Sequence, residues 1–75
     1  SDWEQNLPEF LQASIQAMVS AWNKLDRGEE YYLLDCDYCS LQSDINSAEV
    51  NRIISPEQAW YLREKYLRME REVIE

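Results

Sequence analysis

YYLLDCDYCSLQSDINSA, residues 31–48, is the stretch whose conformation decides the fold. Its opening residues suit a strand, because aromatic side chains pack well on a pleated surface. A strand needs a partner, and Arg52-Ile53-Ile54 is the one candidate. From Asp35 onward the pattern is helical. Leu34, Tyr38, Leu41, Ile45 and Ala48 recur at spacings of four and three, which is one face of a helix. Asp35 can act as N-cap, and Leu34 with Cys39 would form the hydrophobic staple around it. The spacing predicts a helix near 36–47. A short extended segment at 30–34 pairing with 51–54 is the alternative for the residues before it.

The segments on either side read as helices. Leu7, Phe10, Leu11, Ile15, Met18, Trp22 and Leu25 keep a helical period. Asn6 is a candidate cap with Glu9 reaching back to it, Pro8 fits the first turn, and Gly28 is a stop in the left-handed conformation. This predicts a helix near 7–26, with Trp3 folded over its first turn. Ser55-Pro56-Glu57-Gln58 combines an N-cap, a first-turn proline and a capping-box glutamine. Ala59, Leu62, Tyr66, Met69 and Val73 then form a stripe, widened by Trp60, Leu67 and Ile74, over a helix near 56–74. The expectation is an all-α, three-helix architecture, with residues 1–75 as a single small acidic domain.

Three tryptophans and five tyrosines in 75 residues give a small core large rings to bury. No apolar run approaches the ~20 residues of a membrane span, and no signal peptide is recognisable. The default is a soluble cytoplasmic protein. The formal net charge is −8. Residues 1–50 carry all of it, since Lys24 and Arg27 are their only basic side chains, while 51–75 balance. Within 26–49, Asp26, Glu29, Glu30, Asp35, Asp37, Asp44 and Glu49 face Arg27 alone. Such a patch disfavours binding to phosphates or to an anionic membrane, and suits a basic partner.

Cys36 and Cys39 invite a zinc or thiol-redox reading. A structural zinc site takes four ligands, and the chain has no histidine. A metal site would therefore need a second copy to complete a four-cysteine set. Thioredoxin-like chemistry wants a βαβ setting, which is missing. Free cysteine otherwise behaves as a small buried hydrophobe, and the pair is read as core. Residues 47–58 are similar in outline to a calcium loop of the EF-hand kind. Ser47, Glu49, Asn51 and Ser55 fall at ligand positions and Ile54 at the apolar one. Arg52 stands where such loops turn on glycine, and Gln58 replaces their bidentate glutamate. Calcium is not expected, but the helix–loop–helix shape is, with Ile53 and Ile54 docking in the core.

No histidine means no triad and no ordinary base near neutral pH, and a lone glycine, Gly28, excludes a phosphate cradle. No catalytic residue and no cofactor are assigned, and the chain is read as a non-enzyme. Its rings exceed what a small core needs, and tyrosine and tryptophan are enriched at interfaces. The leading expectation is a protein-interaction module or inhibitor that docks a basic partner through Glu29, Glu30, Tyr31, Tyr32, Asp35 and Asp37. In size and acidity the chain resembles small accessory proteins of phages and mobile elements, a resemblance of composition. The alternatives are a nucleic-acid-mimicking inhibitor, a homodimeric subunit joined through Trp60, Leu67 and Ile74, and a metal or redox protein built on Cys36 and Cys39.

Overall fold

The computed structural model describes residues 2–71. After a short 3-10 turn at Asp2–Glu4 come three helices: α1 (Glu9–Asp26), α2 (Leu34–Val50) and α3 (Pro56–Tyr66). One core joins them. Leu7, Leu11, Ile15, Met18 and Ala21 come from α1 and its approach, Leu41, Ile45 and Ala48 from α2, and Ile54, Ala59, Leu62 and Leu67 from α3 and its flanks. The described residues contain no strand. No helix among them is long and apolar enough to cross a membrane.

Each helix departs from its sequence expectation at an end, for a physical reason. α1 starts at Glu9 rather than residue 7, with Pro8 at the cap. Proline disfavours the helical region for the residue before it, so Leu7 cannot open a helix. Asn6 sits at φ 60 and does not cap. No side chain caps the helix; Gln12 Nε2 instead donates to the Leu7 carbonyl at 2.6 Å, fastening the approach to the first turn. The other end follows the sequence. Gly28 at φ 81 donates to Leu25 O (2.9 Å) and Glu29 to Lys24 O (3.0 Å), the paired bonds of a Schellman stop.

α2 is longer than the predicted 36–47. It begins at Leu34 with Leu33 at the cap and no side-chain capping bond, so Asp35 lies inside the first turn. There its carboxylate, like that of Asp37, favours the positive end of the helix dipole. The extended pairing of 30–34 with 51–54 does not form. The Ile53 and Ile54 amides are spent on the Ala48 carbonyl, at 2.8 and 3.3 Å, closing α2 instead of a ladder. Of the two isoleucines expected in the core, Ile54 is 5% exposed and Ile53 is 52% exposed.

Arg52 closes α2 at φ 59, a position where helices usually carry glycine. Its amide donates to Glu49 O at 3.0 Å. The left-handed region costs a side-chain-bearing residue roughly 1–2 kcal/mol, part of which glycine's looser unfolded chain cancels. Arg52→Gly is therefore expected to raise the unfolding free energy by about 0.5–1 kcal/mol in urea titration. A loss of stability would mean that the Arg52 side chain contributes more than its backbone costs.

α3 opens with the predicted capping box: Gln58 N donates to Ser55 Oγ at 3.0 Å and Ser55 N to Gln58 Oε1 at 3.3 Å. It ends at Tyr66, well short of residue 74. The Tyr66 carbonyl is taken by the Trp22 indole N–H at 2.7 Å. Arg68 then turns at φ 56, its guanidinium 4.1 Å from the Trp22 ring centroid and paired to both Asp26 carboxylate oxygens at 3.1 and 2.6 Å. This turn sends Leu67 and Met69 back to the core. Val73 and Ile74 lie outside the described residues.

Candidate interaction surface

The connection between α1 and α2 runs from Arg27 to Leu33 and carries most of the expected contact residues. The six divide into two groups. Tyr31 and Asp37 brace the turn. The Tyr31 hydroxyl donates to Asp37 Oδ2 at 2.7 Å, and the Lys24 ammonium lies 4.4 Å from the Tyr31 ring centroid. The hydrogen bond to the Asp37 carboxylate holds the proton on Tyr31 and pushes its hydroxyl above the usual tyrosine range. Both side chains are half-buried.

Tyr32, Glu29, Glu30 and Asp35 face solvent. Tyr32 is 94% exposed, and Leu33 beside it 45%. Glu29 pairs with Arg27 at 2.7 Å, with more than half of each side chain in water. Such a pair is worth only about 0–1 kcal/mol and yields readily to another partner. Leu33 is absent from the sequence expectation. The signal for it lay in the Leu33-Leu34 pair, since consecutive helical residues point about 100° apart and only one can join a core stripe.

Much of the acidic run of residues 26–49 is engaged within the fold. Asp26 holds Arg68, Asp37 accepts from Tyr31, and Asp44 accepts from the Ser14 hydroxyl across α1 and α2. Glu49 takes the Arg63 guanidinium at 2.8 Å, and Asn46 takes the same nitrogen at 2.7 Å. These links tie α1 to α2 and to the turn after α3, and α2 to α3.

Cys36 and Cys39 are both free and exposed, which corrects their reading as core residues. The cause is helical phase. At about 100° per residue, Cys36 and Cys39 fall roughly 200° and 140° round from Leu34, on the far side from Leu41 and Ile45. Cys39 is therefore not part of a staple with Leu34. Among the described residues no group of three or more cysteine and carboxylate side chains is arranged to hold a metal ion.

The expected dimer face is likewise rearranged. Leu67 is 2% exposed and belongs to the monomer core. Trp60 is half-buried, with the Arg63 and Arg71 guanidinium groups each 5.0 Å from its ring centroid. Ile74 lies outside the described residues.

A second cluster was not foreseen. Trp3 packs on α3: its ring meets Tyr61 edge-on with centroids 5.3 Å apart, and its carbonyl accepts from Gln58 Nε2 at 3.0 Å. Next to it Glu4 accepts from the hydroxyls of Tyr61 and Tyr66 and from the Lys65 ammonium. Those donors, Lys65 foremost, pull the Glu4 carboxyl from an ordinary 4.5 down to about 2. The Lys65 ammonium is pushed upward by the same bond. Tyr61, Lys65 and Tyr66, at i, i+4 and i+5, span about 140° of α3 and converge on Glu4 from either side, and nothing local in the sequence points them at residue 4.

Comparison with known protein families, with curated proteins and with solved structures found no match.

Proposed function

We propose that this chain is a non-catalytic interaction module that docks a basic partner protein through the α1–α2 connection. The observation that carries this reading is the exposure of Tyr32, 94% in the folded chain, with Leu33 at its side and Glu29, Glu30 and Asp35 in the same segment. An aromatic ring that takes no part in its own fold, flanked by carboxylates, has the make-up of an interface centre with a charged rim. Tyr31 and Asp37 act one step back, by holding the turn that presents Tyr32. An inhibitor is one form such a module can take.

The nucleic-acid mimic is the weaker alternative. Asp26, Asp37, Asp44 and Glu49 are occupied inside the fold, which breaks up the rows of carboxylates that a phosphate backbone mimic needs.

The test uses the partner captured on the immobilised chain and then purified. Changing Glu29, Glu30 and Asp35 together to lysine is expected to weaken its binding at least tenfold at physiological salt and to flatten the salt dependence. Tyr32→Ala is expected to weaken binding about tenfold with an unchanged unfolding midpoint, since the ring touches little of its own chain. Full affinity in both variants would place the docking surface elsewhere.

A further inference from the structure

We propose that Cys36 and Cys39 form a reversible thiol–disulfide site, a dithiol that closes to an intramolecular disulfide by exchange with a small disulfide of the glutathione class. Both thiols are free and exposed, and they stand three residues apart in the first turns of α2, on the face turned away from the core. Neither therefore has a packing role to lose. Helix geometry places Cα atoms three residues apart at about 5 Å, inside the ~4.4–6.8 Å window of a disulfide. The Cβ atoms start about 5–6 Å apart and must close to about 4 Å.

The start of a helix yields most easily to that closure. The first amides of a helix have no acceptor within it, and the first intrahelical bond here is Asp37 N–H to Leu33 O at 3.0 Å. The Asp35 and Cys36 amides therefore have no ladder bond of their own to lose when that backbone tilts. An exposed bridge made under such tension is also readily reduced, which is the behaviour of a regulatory bond rather than a structural one. Zinc is the less supported ligand for the pair, since no third ligand group is gathered beside it among the described residues.

The exchange balances without another reagent. One cysteine thiolate attacks glutathione disulfide, forming a mixed disulfide and releasing one glutathione thiolate. The second cysteine thiolate attacks the protein-bound sulfur, forming the Cys36–Cys39 bond and releasing the second glutathione. The protein loses two electrons and two protons, and glutathione disulfide is reduced to two thiols.

The reduced full chain is equilibrated in glutathione buffers of increasing oxidised fraction, alkylated, and read by intact mass and gel filtration. The expected result is a monomer that loses both alkylatable thiols together, is lighter by two hydrogens, and returns to the dithiol with dithiothreitol. Cys36→Ser and Cys39→Ser, folded by circular dichroism, should each stop at a glutathione mixed disulfide. Wild-type chains that stay reduced, accumulate mixed disulfides at both cysteines, or cross-link into dimers would overturn the proposal.

Discussion

Replacing Ile45 with alanine is expected to cost about 2–5 kcal/mol of unfolding free energy. Ile45 is fully buried at the middle of α2, the helix that packs against both neighbours. The loss combines the transfer energy of the deleted methyl and methylene groups with the cavity left behind. A chain of this length has roughly 4–11 kcal/mol in total, so the variant should be partly unfolded at 37 °C. Chemical denaturation followed by far-UV circular dichroism measures it, with Ile45→Val, about 0.5–1.5 kcal/mol, as the graded control. An Ile45→Ala loss below that of Ile45→Val would contradict a core centred on α2.

Glu4→Ala is the second large effect, at about 1–3 kcal/mol. It removes the acceptor shared by Tyr61, Tyr66 and Lys65 and so weakens the hold of α3 on the 3-10 turn. The side chain is 30% exposed, so water recovers part of the loss and the figure stays well below the sum of separate charged hydrogen bonds. The pH dependence gives a sharper signature. A carboxyl with its pKa depressed from 4.5 to about 2 adds stability that is fully present above pH 4.5 and is lost as pH falls through 2. Wild type should therefore lose more stability than Glu4→Ala across that window. Equal losses in the two proteins would show that Glu4 makes no such contact. The comparison cancels the relief of self-repulsion that acid brings to both acidic chains.

The helices were legible where local chemistry settles them. The Ser55–Gln58 capping box and the Gly28 stop depend on a few adjacent residues, and both are present. The 34-38-41-45-48 stripe identified α2 and its buried face, and the same arithmetic would have placed Cys36 and Cys39 outside. What the sequence concealed were the decisions made by distant residues. The early end of α3 depends on Trp22 taking the Tyr66 carbonyl and on Asp26 holding Arg68. The Glu4 cluster spans nearly the whole chain. For the same reason the charge pattern overstated the acidic surface, since a carboxylate's partner across the fold leaves no mark beside it in sequence. Of the paired tyrosines, sequence marked both and only the structure separates the brace from the exposed ring.

Amide hydrogen exchange on the chain alone and in complex with its captured partner tests the docking surface most directly. Slowed exchange concentrated in residues 29–37, with the Trp60 face of α3 unchanged, is the predicted result. Protection confined to α3, with residues 29–37 exchanging as in the free chain, would contradict it.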